Sequence, residues 1–151
     1  MEPGPLALAV RVERWPIAGS FTISRGAKTE AAVVVAELSD GNLRGRGECV
    51  PYARYGETIE GVTAALEAMR PQFQQGLDRA GLQHAMPAGA ARNALDCALW
   101  DLAAKRAGQP AYTLAGLPTP GPVTTAYTIS LAEPAIMAQA NVIIHDLLCI
   151  K

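Results

Sequence analysis

The chain has 151 residues, of which 50% are hydrophobic and 18% are charged, and this composition excludes a disordered protein. The formal net charge of −1 gives no electrostatic basis for binding nucleic acid or an acidic membrane surface, so we expect neither as a partner. No apolar run approaches the roughly 20 residues that span a bilayer. The N-terminus also lacks the pattern of a signal peptide, and we therefore expect a cytoplasmic protein.

The first predicted element is a β-strand. Large apolar residues occupy every second position from Leu8 to Val12 and alternate with Ala9, Arg11 and Glu13, which is typical of a strand. Pro16 cannot donate a backbone hydrogen bond, and we expect the strand to end there. Residues 17–29 are rich in Gly, Ser and Thr and are predicted to form a loop.

A β-hairpin is predicted next, and it makes the sheet a three-stranded antiparallel meander. Residues 30–39 include three consecutive valines, which favour a strand. The DGN sequence at residues 40–42 can supply the positive φ angles of a tight turn, and residues 43–49 then form the returning strand. Gly45 and Gly47 in that strand indicate a close approach by another backbone or side chain.

Apolar residues at helical spacing predict an amphipathic helix after Thr58, which is a suitable N-cap. The apolar stripe consists of Ile59, Val62, Leu66, Met69 and Phe73. Pro71 and Gly76 mark its end. Residues 88–107 predict the strongest helix, because alanine is abundant and a glycine follows directly. Short helices are predicted at residues 78–85 and 110–115.

Residues 116–122, GLPTPGP, are interpreted as a linker. They hold three prolines and two glycines in seven residues, which is typical of a domain boundary. We therefore divide the chain into residues 1–117 and 118–151.

The second part is predicted to open a parallel, helix-wrapped sheet with a β-α-β unit. Strands are predicted at residues 123–130 and 146–151, with a helix from Glu133 to about residue 140 between them. A sheet of two strands is not stable alone, so these strands need further partners.

Three segments resemble the dipeptide epimerases of the enolase superfamily: GECVPYARYGET (47–58), PAGAARNALDCALWDLAAKRAG (87–108) and AYTISLAEP (126–134). The resemblance implies an α+β fold, in which an N-terminal capping domain of a meander and helices precedes the first β-α-β of a TIM-type barrel. That barrel is incomplete in this chain, since a whole one needs roughly 250 residues. In the family, three barrel carboxylates hold Mg²⁺ and two lysines exchange the α-proton of a dipeptide.

The resemblance also assigns candidate substrate-binding residues. Arg25 would face the side chain of the second residue of the dipeptide, and a guanidinium suits a glutamate carboxylate there. Phe21, Tyr52 and Tyr55 would line the pocket, and Thr128 would lie beside the substrate at the end of the first barrel strand. The alternatives stay open: Arg25 as an exposed loop residue that contacts only water, Phe21 as a core residue, the tyrosines as interface packing, and Thr128 as a strand former.

Lys151 aligns with the catalytic acid/base of the family, whose motif is Lys-x-Lys, but Cys149 replaces the first lysine. We expect no metal ligand within this chain, because the family's metal carboxylates would follow Lys151. By itself the chain is therefore expected to bind no Mg²⁺ specifically, to show no turnover, and to form oligomers through its exposed barrel strands.

The resemblance implies an isomerase that inverts the α-carbon of the C-terminal residue of dipeptides such as L-Ala-L-Glu or L-Ala-D-Glu, of which this chain is the N-terminal part. A muconate cycloisomerase-like enzyme and an N-acylamino acid racemase are the rivals within the superfamily. A non-catalytic binding or assembly module is the alternative from another class. The expected partners are a small dipeptide substrate and further copies of the chain.

Overall fold

A computed structural model describes residues 4–24 and 26–148, and the side chains among them up to residue 141. Within these residues the strands are β1 (Ala7–Ile23), β2 (Gly26–Ser39) and β3 (Arg44–Cys49). A 3₁₀ turn, Ala53–Tyr55, precedes the helices. The helices are α1 (Ile59–Glu67), α2 (Arg70–Gln74), α3 (Arg79–Ala85), α4 (Ala90–Ala107), α5 (Ala111–Leu114) and α6 (Pro134–Leu148). An antiparallel sheet in the order β1-β2-β3, followed by helices, confirms the predicted α+β fold class.

The described residues fall into two compact units, and strands β1 and β2 contribute to both. The first unit holds the residues up to Arg14 together with Ala32–Pro120. The second holds Trp15–Ala31 together with the residues from Gly121 onward. The division into domains at residue 117 stays a prediction.

The hydrophobic core of the first unit lies between the sheet and the helices. Helix α4 packs along β3, and Leu95 and Leu102 on its inner face are 0% and 1% exposed. Val34 and Leu38 of β2 and Phe73 of α2 are fully buried in the same cluster. The apolar stripe predicted for the first helical region therefore does face the core.

Strand β3 and helix α4 touch backbone to backbone. Gly45, Gly47 and Cys49 form the side of β3 that faces the helix, while the residues between them face solvent. A Cβ atom on Gly47 would lie 1.9 Å from the carbonyl oxygen of Ala94, and one on Gly45 would lie 2.1 Å from that of Ala98. The close approach predicted from the two glycines is confirmed, and it brings α4 against the sheet with no side chain in between.

The predicted turn between β2 and β3 is confirmed. The strands pair antiparallel from Val34 opposite Cys49 to Ser39 opposite Arg44. Gly41 supplies a positive φ of 95°. The carboxylate of Asp40 closes the turn, because its Oδ1 atom accepts hydrogen bonds from the N–H groups of Asn42 and Leu43.

The helix predicted to run through Phe73 is two helices. The side chain of Thr58 accepts a hydrogen bond from the N–H of Gly61 at 3.0 Å, which confirms the predicted N-cap. Helix α1 ends at Glu67, and α2 begins with Pro71 in its first turn. Proline lacks the N–H that would continue the helix, but it is tolerated where a new helix begins.

The loop predicted at residues 17–29 is wrong. Strand β1 continues to Ile23 and β2 begins at Gly26, so most of this segment is strand. Pro16 lies inside β1, and it is tolerated there because β1 is an edge strand. One side of an edge strand has no neighbouring strand, so a missing N–H on that side breaks no hydrogen bond of the sheet. Polar composition alone indicated a loop, although the segment belongs to a long hairpin.

The two barrel strands are not present as predicted. Residues 117–133 have no regular secondary structure, and Val123 and Tyr127 are 80% and 69% exposed. Helix α6 extends to Leu148, so residues 146–148 are helical; residues 149–151 lie outside the described part of the chain. The β-branched residues at positions 123–130 favoured the prediction of a strand, but this preference depends on packing against neighbouring strands.

Candidate functional site

Two of the predicted substrate-binding residues, Tyr52 and Tyr55, lie together on the loop that precedes α1. Their ring centroids are 5.7 Å apart, and the rings are inclined by 49°. Tyr52 is 38% exposed and Tyr55 is 77% exposed. The N–H of Tyr55 donates to the carbonyl of Tyr52 at 2.9 Å, and Gly56 closes the turn with a φ of 74°. The loop thus presents two amphipathic side chains to solvent.

The carboxylate of Glu57 joins this loop to the beginning of α4. Its Oε2 atom accepts a hydrogen bond from the N–H of Tyr52 at 3.0 Å. Its Oε1 atom accepts one from the N–H of Ala90 at 2.7 Å. These two N–H groups, that of Ala90 first, hold the pKa of Glu57 below its usual value, so the carboxylate is charged at neutral pH. A negative charge is stabilised at this position because the N-terminus of a helix carries partial positive charge.

Sequence reasoning missed Glu57 as a functional residue. The bond to Ala90 joins residues 33 positions apart and ends on a backbone group, so no local motif reveals it. One signal was available: Gly89 is the N-cap of α4 and has no side chain with which to cap the helix. An acceptor from another part of the chain was therefore to be expected.

In the second unit, the segments that carry Phe21 and Thr128 are bonded to each other. The N–H of Thr22 donates to Oγ of Ser130 at 2.8 Å. The N–H of Leu131 donates to the carbonyl of Thr22 at 2.8 Å. Phe21 is half-buried and Thr128 is exposed. Both residues thus lie on neighbouring segments of one unit, and their contact with a substrate stays a prediction.

The remaining predicted site residues, Arg25 and Lys151, lie outside the described residues, as does Cys149. Their roles therefore stay predictions.

Cys49 and Cys97 are free thiols. Cys49 is buried, and its Sγ donates to the carbonyl of Val34 at 3.6 Å. Burial, followed by the charges of Glu57 and Glu48, raises the pKa of Cys49 to about 11. This thiol is therefore protonated at neutral pH and is a poor nucleophile.

Neither a metal centre nor a membrane segment is found in the part of the chain that the structure describes. No three His, Cys, Asp or Glu residues there are grouped so that they could hold a metal ion. Asp101, for example, accepts hydrogen bonds from the N–H of Arg46 at 2.8 Å and from Nζ of Lys105 at 2.7 Å. None of the described helices combines the length and the apolar character that a membrane crossing requires.

Comparison with known proteins identifies the family. Residues 6–116 match the family described as the mandelate racemase / muconate lactonizing enzyme, N-terminal domain, and the chain therefore belongs to this family. The match extends from the start of the sheet to the helix α5. It confirms the resemblance to the enolase superfamily that the local sequences indicated.

Individual relatives are dipeptide epimerases. The L-Ala-D/L-Glu epimerase of Escherichia coli (strain K12) is 49% identical over 128 residues, which are 85% of this chain and 40% of that enzyme. A crystal structure of an enolase family member from Agrobacterium tumefaciens with homology to dipeptide epimerases, with bound sodium and L-Ala-L-Glu, is 55% identical. Its TM-score is 0.83, and the match covers 90% of this chain and 42% of that one.

A more distant structure is the dipeptide epimerase from Enterococcus faecalis V583, complexed with Mg and the dipeptide L-Leu-L-Tyr. It is 27% identical with a TM-score of 0.79, and the match covers 97% of this chain and 43% of that one. The chain thus spans less than half the length of each of these relatives. The metal ions and the dipeptides named here are those of the two solved structures.

Proposed function

We propose that the chain forms the capping domain and the beginning of the barrel of a Mg²⁺-dependent dipeptide epimerase. The enzyme would invert the α-carbon of the C-terminal residue of dipeptides such as L-Ala-L-Glu or L-Ala-D-Glu. The observation that carries the proposal is the 49% identity over 128 residues to the Escherichia coli L-Ala-D/L-Glu epimerase. The bound L-Ala-L-Glu of the Agrobacterium tumefaciens relative, which is 55% identical, supports an acidic dipeptide.

Each candidate residue has a role in this proposal. The guanidinium of Arg25 binds the side-chain carboxylate of the dipeptide through two hydrogen bonds. Tyr52 and Tyr55 form a wall that excludes water from the peptide, and their exposed rings support this role. Phe21 and Thr128 also contact the substrate in this proposal.

Lys151 is the proposed acid/base, which removes the α-proton from one face of the substrate carbon and can return it. In this proposal, as the family resemblance implies, Mg²⁺ is held by three carboxylates of the barrel. A cytoplasmic location and a homo-oligomeric state remain predictions that accompany the proposal.

The test is an isotope-exchange assay of the natural gene product that carries this sequence. In D₂O with Mg²⁺, we expect loss of the α-proton signal of the glutamyl residue of L-Ala-L-Glu and the appearance of L-Ala-D-Glu, both followed by ¹H NMR. Exchange with N-acetyl-glutamate but not with the dipeptide would favour an N-acylamino acid racemase instead. Dipeptide binding by calorimetry without any exchange would favour a non-catalytic module.

The Arg25→Ala variant tests the acidic specificity in the same assay. Because a hydrogen bond to a charged group is lost, kcat/KM for L-Ala-L-Glu should fall about 10- to 100-fold, with little change for L-Ala-L-Val. Lys28→Ala is the matched control, since it removes a positive charge three positions away and should leave the ratio of the two substrates unchanged. An equal loss on both dipeptides in Arg25→Ala would reject the assigned role.

A further inference from the structure

We infer that Glu57 is a positioning residue, whose carboxylate holds the loop of Tyr52 and Tyr55 in the orientation in which their rings contact the dipeptide. The identity of the ligand in this inference rests on the proposed function. The hydrogen bonds of Glu57 are independent of that function, because both are observed within the first unit. The two parts can therefore be tested separately.

The anchor of the loop is a helix that does not move easily. Helix α4 has 18 residues, and its inner face is buried against the sheet. The N–H of Ala90, at its first turn, meets Oε1 of Glu57 at 2.7 Å. Charge-assisted hydrogen bonds of this length are about twice as strong as those between neutral groups. A loop tied to this point shares the rigidity of the core.

The site accepts a glutamate and disfavours close substitutes. The two carboxylate oxygens serve two different N–H donors, whereas a glutamine offers one oxygen and would turn its NH₂ group toward the other donor. An aspartate is one methylene shorter. The absence of a side chain at Gly89 leaves room for the carboxylate, because a Cβ there would lie 3.0 Å from Oε1 of Glu57. The φ of 157° at Gly89 is also disfavoured for other residues.

The effect of Glu57 reaches both tyrosines through the backbone. The N–H of Tyr52 binds Glu57 directly, and the carbonyl of Tyr52 accepts the N–H of Tyr55 at 2.9 Å. Tyr55 is 77% exposed, so the direction of its ring depends on this backbone more than on surrounding side chains. Loss of the Glu57 bond should therefore release both rings together, and with them the wall that they form.

Hydrogen exchange on the 151-residue chain tests the anchor. In Glu57→Gln, at least one of the amides of Tyr52 and Ala90 should exchange about tenfold faster, because the single oxygen of glutamine cannot accept from both and is uncharged. Glu60→Gln is the matched control, because it removes the same charge from an exposed position in the first turn of α1. Unchanged protection of both the Tyr52 and the Ala90 amide in Glu57→Gln would overturn the inference.

Kinetics of the natural gene product test the positioning. Glu57→Gln should raise KM for L-Ala-L-Glu about tenfold with kcat within about twofold, because binding and not the chemical step is affected. In the background of Tyr52→Ala with Tyr55→Ala, the same substitution should change KM less than about twofold, since its effect passes through the rings. An undiminished effect in that background would contradict the positioning role.

The remaining outcomes also decide the question. If Glu57→Gln does not fold, the double variant Tyr52→Ala, Tyr55→Ala is decisive. A KM equal to that of wild type in this variant would show that the two rings do not contact the dipeptide, and the inference would be wrong. If the wild-type protein neither epimerises a dipeptide nor binds one by calorimetry, the proposed function fails. Slow exchange of the Tyr52 amide that depends on Glu57 would then support the anchor alone and reject its role in dipeptide binding.

Discussion

Asp40 shows how one side chain organises a turn and joins it to a distant helix. Its Oδ1 atom accepts the N–H groups of Asn42 and Leu43, and Nε of Arg106 donates to Oδ2 at 2.7 Å. The N–H of Leu43, followed by Arg106 and the N–H of Asn42, lowers the pKa of Asp40 from 3.8 to about 2. The folded protein therefore favours the charged carboxylate more strongly than the unfolded chain does.

This lowered pKa has a consequence for acid stability. A carboxyl group with a depressed pKa stabilises the fold above its ordinary pKa, and the stabilisation is lost as the pH falls toward the folded value. Between pH 4 and pH 2, about the range of these two pKa values, Asp40→Asn should show a shallower dependence of the urea midpoint on pH than wild type. Glu60→Gln serves as the control for removal of one surface carboxylate. Identical slopes in wild type and Asp40→Asn would contradict this expectation.

At the scale of residues, sequence reasoning succeeded where the cause was local. Gly45 and Gly47 indicated a close approach, and Thr58 and its neighbours indicated an N-cap, because both depend on the residue itself. Glu57 and the Asp40–Arg106 pair were not predicted, because their partners come from remote positions of the chain.

At the scale of elements, the contact between β3 and α4 should be the most sensitive to added volume. Gly47→Ala places a methyl group where the carbonyl oxygen of Ala94 lies, so the helix must shift. We expect the free energy of unfolding to fall by about 1–3 kcal/mol, as for other overpacked cores. Urea denaturation followed by circular dichroism would measure it.

The matched control is Gly121→Ala, where an added Cβ meets nothing within 4 Å. That substitution should change the free energy of unfolding by no more than about 0.5 kcal/mol. Equal stability of the two variants would show that α4 can move away from β3 at little cost.

The helices of the first unit were predictable because apolar spacing and capping residues lie close together in the sequence. Helix α3, predicted at residues 78–85, begins at Arg79 after the N-cap Asp78 and ends at Ala85. The long β1–β2 hairpin was not predicted, because its residues are rich in Gly, Ser and Thr, a composition that is typical of a loop. These residues form strands here because β1 and β2 pair with each other. The strand expected at residues 123–130 had the right residue types, but this part of the described chain has no regular secondary structure.

At the scale of the whole molecule, the buried core belongs to one unit. Its residues run from Leu6 to Leu102, all within the first unit. A chain that ends after Pro120 should therefore keep a cooperative thermal transition, with a midpoint within about 4 °C of the 151-residue chain. A chain that ends after Gly89 lacks α4 and should show no such transition by circular dichroism. Loss of the transition in the longer of the two truncated chains would contradict this expectation.

The glycine side of β3 also bears on how the protein responds to compression. High pressure unfolds proteins mainly by driving water into internal voids. At Gly45 and Gly47 the strand and the helix lie in direct contact, so there is no empty volume between them at these points for water to enter. In a high-pressure NMR cell, the amides of Gly45 and Gly47 and of the facing residues Ala94 and Ala98 should be among the last in the first unit to lose their native signals.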